Sequence, residues 1–152
     1  MKYKVIALIV VIVVGVIAVL LYLNHHSTPV MFPKSFQGYV LKDESNTSGY
    51  GKILNYTVYY SEYSALYEGK DSNISIVVYN ISSVNVANAL FNHLVSIINS
   101  SNYTSTKYLN VNGEENFFFK GGYTIVVEKG NVVILVSSVN GSFSDGIDII
   151  RN

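Results

Sequence analysis

Seven triplets of the form Asn-x-Ser/Thr occur in the chain, at Asn46, Asn55, Asn73, Asn80, Asn99, Asn102 and Asn140, and two of them crowd into "NSSNYTS" at residues 99–105. Such triplets are acceptors for N-linked glycans, in which the side-chain amide carries the sugar. None has Pro at the middle position. An Asn- and Ser-rich chain of this length makes about two or three by chance. The excess points to glycosylation, and so to a location outside the cytoplasm.

The other reactive residues form no recognisable machinery. The three histidines are His25, His26 and His93. The first two sit in a polar stretch without a neighbouring carboxylate, which is a poor metal site. His93 falls on the polar side of a helical pattern, and no serine has the surroundings of a nucleophile elbow. Asp43-Glu44 and Glu114-Glu115 are adjacent pairs. Neighbours on a strand point to opposite faces, so neither pair converges for acid–base work. "DESN" at 43–46 lacks the Gly and the distal Glu of a calcium loop. Asp145 and Asp148, three apart, suit the start of a helix. No phosphate-cradling glycine loop occurs. The expectation is a protein that is not an enzyme and that needs no cofactor or metal.

Tyrosine is the remaining feature, with thirteen copies and no Trp. Tyr56, Tyr59, Tyr60, Tyr63 and Tyr67 cluster in twelve residues. On a regular strand Tyr56 and Tyr60 share one side, and Tyr59, Tyr63 and Tyr67 the other. Exposed tyrosine offers a large contact area at low entropy cost, so one set is expected to form an interaction surface.

These residues must be held somewhere. Residues 5–23, "VIALIVVIVVGVIAVLLYL", contain no charge and are interrupted only by Gly15 among aliphatic residues. At about 1.5 Å per residue such a helix spans roughly 29 Å, the thickness of a bilayer's hydrocarbon core. The run is long for a cleaved signal peptide, and "NHHSTPV" after it offers no small-x-small cleavage site. The reading is an uncleaved signal-anchor. Lys2 and Lys4 precede the run and the next basic residue is Lys34. The positive-inside rule therefore places residues 1–4 in the cytoplasm as a stub and residues 24–152 outside. "MKYKVIAL" lacks the small residue of a pilin-type leader. Residues 24–152 hold eight Lys/Arg and ten Asp/Glu, which leaves no basic field for nucleic acid.

Residues 24–35, with both prolines, read as a stiff linker. From residue 36 short β-rich runs begin. "GYVLKD" (38–43) reads as a strand, "ESNTSGYG" (44–51) as a loop, 52–69 as one long bent strand or two, and "ISIVVYNIS" (74–82) as another. "SVNVANALFNHLVSIINSS" (83–101) carries apolar residues at spacings of three and four and predicts a helix capped by Ser82 or Ser83. Strands are expected near 105–111, 115–120, 123–128 and 132–138, with hairpins at Asn112-Gly113 and Lys129-Gly130-Asn131. A short helical stretch is expected within 141–152. The fold class is α+β: an N-terminal transmembrane helix plus an antiparallel β-sheet ectodomain (36–152) with one helix packed on a face. A β-sandwich with an inserted helix is the alternative.

The aliphatic anchor at 5–23, acceptors such as "NYT" and "NIS", the Tyr/Asn/Ser/Ile-rich ectodomain and the lack of Cys together resemble uncharacterised crenarchaeal membrane-anchored surface proteins. The likeness is one of composition over the whole chain and carries no functional residue across. The functional expectation is a single-pass cell-membrane protein, held in the lipid bilayer through residues 5–23. Its ectodomain binds or scaffolds other envelope components, and an envelope protein is the expected partner. A membrane-tethered module for a small solute or glycan is the second expectation.

Overall fold

The computed structural model describes residues 30–100, 108–111, 114–119 and 122–140. The chain divides after Val30, and the described fold belongs to the second unit. The expected transmembrane helix at 5–23, the turn at Asn112-Gly113 and the final helical stretch lie outside the described residues. Among the described residues no helix is long and apolar enough to cross a membrane.

Among the described residues eight strands form one curled antiparallel sheet. They are β1 (Ser35–Phe36), β2 (Tyr39–Ile53), β3 (Tyr56–Glu68), β4 (Asn73–Ile81), β5 (Tyr108–Val111), β6 (Glu114–Phe119), β7 (Gly122–Lys129) and β8 (Val132–Val139), with helix α1 (Val84–Ser100) between β4 and β5. The spatial order is β1-β2-β3-β4-β8-β7-β6-β5. Two four-stranded meanders thus meet at the β4–β8 pair, and α1 starts the connection from the centre of the sheet to its far edge. The α+β reading with one helix on a face is what the structure shows; the eight strands form a single sheet rather than the two layers of a sandwich.

The helix begins where the serines predict. The Ala87 amide donates to the Ser83 carbonyl at 3.0 Å, and the Val86 amide reaches the Ser83 hydroxyl at 3.5 Å, a long capping bond. Val86, Ala87, Phe91 and Ile98 are buried, while Val84 and Ile97, at the margins of the stripe, are exposed. The buried set packs with Ile53, Ile81, Val126 and Val133, and α1 lies against β4, β7 and β8. The opposite sheet face is also buried. Tyr63, Ala65 and Tyr67 of β3, Ile74, Ile76 and Val78 of β4, Tyr123, Ile125 and Val127 of β7 and Val136 of β8 form a second core with Tyr39. Phe32 and Phe36 pack on it, so the domain's packing reaches back to Phe32, while Met31 stays exposed.

One expected loop is a strand. Residues 44–51, dense in turn formers, are the middle of the 15-residue β2. They pair with β3 from Glu44↔Ala65 to Gly51↔Val58. Small polar side chains find partners across the pair: Ser45 and Ser64 hydroxyls lie 2.8 Å apart, and the Ser48 hydroxyl donates to that of Ser61 at 2.8 Å. A bulge between Leu41 and Asp43 sets Lys42 out of register. The turn falls instead at Leu54-Asn55, where Leu54 holds φ at 55°. This left-handed backbone costs a non-glycine residue about 1 kcal/mol, and Asn tolerates it better than Leu. Leu54→Asn is expected to raise the unfolding free energy by about 0.5 kcal/mol, and the β-branched Leu54→Val to lower it by about 1 kcal/mol. Denaturant unfolding of the two variants checks this.

Candidate functional site

The tyrosine cluster sits on β3, and the strand's alternation places its members as the sequence predicts. Tyr63 pairs with Val78 and Tyr67 with Ile74 on one face; Tyr60 pairs with Ile81 on the other. Exposure, however, does not follow the faces. It follows distance along the strand. Tyr63 and Tyr67 are core residues, and Tyr67 is 1% exposed. Tyr59 and Tyr60 are half-buried, and Tyr56 is 51% exposed. The reason is the length of β4. It pairs with β3 from Tyr60 to Glu68, and the Ser82 amide just after it donates to the Tyr59 carbonyl at 2.9 Å, so Tyr56–Val58 project past its end.

Tyr67 and Tyr63 therefore belong to packing rather than to an accessible surface. The Tyr67 hydroxyl donates to the Pro33 carbonyl at 2.8 Å, and its ring meets Phe36 edge-on at 5.1 Å. Phe36 stacks on Tyr39 at 5.3 Å, and the Tyr39 and Ser72 hydroxyls are 2.7 Å apart. A side chain at Gly69 would strike the Tyr39 ring, so that position must stay bare. Tyr60 is half-covered because its ring lies over Gly51 on the facing strand.

What remains exposed is the distal end of the β2–β3 hairpin. Tyr50 is 80% exposed, and its ring meets Tyr59 edge-on at 5.4 Å. Tyr56, on the opposite face with Ile53, and Leu54 in the turn are also exposed at this tip. Ile53, buried in the helix-side core, anchors it. Tyr50 escaped the sequence reading because it lies in "ESNTSGYG", and only the pairing Tyr50↔Tyr59 brings it to the cluster.

Two phenols titrate late. Burial, with the Glu44 carboxylate adding, holds Tyr67 above its ordinary value of 10.0. Burial raises Tyr79 too, followed by Glu62 and Tyr60. The neutral phenol is thus favoured in the folded chain. Above pH about 10 the unfolded chain loses these protons first, so stability is complete below that pH and falls as pH rises through the native values. Phenolate absorbance compared between native and denatured chain across alkaline pH tests this. Tyr67→Phe is expected to flatten the fall.

The glycan acceptors are spread over the surface. Asn46 lies on β2, Asn55 in the hairpin turn, Asn73 at the start of β4, Asn99 near the end of α1 and Asn140 just after β8, all exposed. Asn80 is half-buried and its amide oxygen already accepts from Asn131 at 2.8 Å. Asn102 lies outside the described residues.

Asp43 and Glu44 do not converge. Asp43 pairs with Leu66 and Glu44 with Ala65, on opposite faces. His93 is exposed on α1. Among the described residues no three His, Cys, Asp or Glu are grouped to hold a metal. A depression beside Asp43, Ser64, Leu66 and Ser75 has a volume of about 90 Å³, against the roughly 300 Å³ or more of sites that enclose a small molecule. No protein-family model matches the chain, and no curated protein or solved structure matches it either.

Proposed function

We propose that the chain is a single-pass membrane protein whose extracytoplasmic β domain binds or scaffolds another envelope component through the distal β2–β3 hairpin. The observation that carries this reading is exposed aromatic surface on both faces of one tip, Tyr50 on one face and Tyr56 on the other, where the hairpin projects beyond β4 and is anchored by buried Ile53. Rigid tyrosines gain contact area with little entropy loss. The apolar run at 5–23 supports tethering, and the exposed acceptors Asn55, Asn73, Asn99 and Asn140 support glycosylation outside the cytoplasm. Binding of a small solute, beside Asp43, Ser64, Leu66 and Ser75, is the second reading.

The test is purification of the full chain from its native membrane in mild detergent, with the wild type and a Tyr50→Ser, Tyr56→Ser variant compared. A stoichiometric companion that the variant loses supports the reading. A companion retained by the variant, or a wild-type chain with no companion, overturns it.

A further inference from the structure

From Lys42 to Lys52 the outer edge of β2 pairs with no strand among the described residues, because β1 covers only Tyr39 and Val40. Free edges of this length are usually blunted by proline, closely spaced charge or a covering segment. Here a bulge at Lys42 protects one end, charges lie at Lys42, Asp43, Glu44 and Lys52, and the seven residues between, "SNTSGYG", carry none.

We infer that a second copy of this chain pairs antiparallel along the β2 edge, centred on Ser48. Two like edges join through a two-fold axis normal to the sheet, so each residue meets a residue of its own face. Within β2, a centre at Ser48 sets Glu44 opposite Lys52 of the other copy, twice by symmetry. Both belong to the face that carries Tyr50, as the pairings Glu44↔Ala65, Tyr50↔Tyr59 and Lys52↔Thr57 show. Moving the centre one residue toward Glu44 would set Lys42 against Lys52, and one residue toward Lys52 would leave Glu44 opposite Leu54. Neither Glu44 nor Lys52 has an ion-pair partner among the described residues, whereas Lys42 is held by Glu68 at 3.2 Å. Opposite charges facing across strands favour pairing, and like charges oppose it.

The chain has no cysteine, so a single introduced thiol reports the register. At the centre Ser48 faces itself at a Cα separation of about 4.5–5.5 Å, within disulfide range. Ser45 is displaced from its own copy by about 20 Å. The full chain is produced in a bacterial host, so that Asn46 carries no glycan, and held in mild detergent. Ser48→Cys is expected to form a disulfide-linked dimer on mild oxidation, and Ser45→Cys is not. Lys52→Glu is expected to weaken the dimer about tenfold, and adding Glu44→Lys to restore it. Equal cross-linking at 45 and 48 overturns the inference. So does a parent chain that stays monomeric, a dimer indifferent to Lys52→Glu, or a Ser48→Cys thiol that links to a different protein.

Discussion

Tyr67→Ala is expected to remove about 3–5 kcal/mol of folding free energy, a large share of what a domain of this size holds. The side chain is 1% exposed and stands between strands and N-terminal segment. Its ring packs in the core with Tyr39, Ile74 and Ile76, and meets Phe36 edge-on. Its hydroxyl ties down the Pro33 carbonyl. Truncation leaves a cavity, strands that carbonyl and frees the segment from Phe32 to Phe36 together. Tyr67→Phe separates the two contributions: it keeps the ring and is expected to cost about 1 kcal/mol for the lost hydrogen bond. Near-ultraviolet circular dichroism during thermal unfolding suits the measurement, because the aromatic signal comes from tyrosine and phenylalanine alone. A loss for Tyr67→Ala no larger than that for Tyr67→Phe would sink this account of the second core.

Removing residues 1–23 is expected to shift the protein from the membrane to the soluble fraction. The run at 5–23 holds fifteen Ile, Leu and Val. At roughly 0.3–0.6 kcal/mol each, they favour insertion by about 5–9 kcal/mol. One arginine at the centre costs about 2.5–3.5 kcal/mol. Val13→Arg alone should therefore leave the chain in the membrane, and Ile9→Arg with Val13→Arg should bring insertion close to balance and release a substantial part of it. Alkaline extraction of membranes followed by immunoblotting reads the result. A truncated chain that still resists extraction would place the membrane attachment elsewhere.

The sequence alone set the local features. Spacings of three and four placed α1, and Ser82 or Ser83 marked its start, of which the structure uses Ser83. The period of two along β3 assigned Tyr56 and Tyr60 to one side and Tyr63 and Tyr67 to the other. Gly130, with φ at 64°, made the hairpin between β7 and β8 legible because glycine reaches that backbone without steric cost.

Tertiary pairing decided the rest. "ESNTSGYG" has the composition of a loop, yet its pairing with β3 and its serine bonds across the strands make it the middle of β2. The turn at Leu54-Asn55 left no trace in the sequence, because leucine disfavours the φ it adopts there. Alternation told which tyrosines share a face, but burial depends on what lies beside the strand. That was set by the point at which β4 stops, at Ile81 opposite Tyr60. Periodicity is a property of neighbours in the chain, and exposure is a property of neighbours in space. The two agree at Tyr63 and Tyr67, and they part at Tyr56 and Tyr50, where the candidate surface lies.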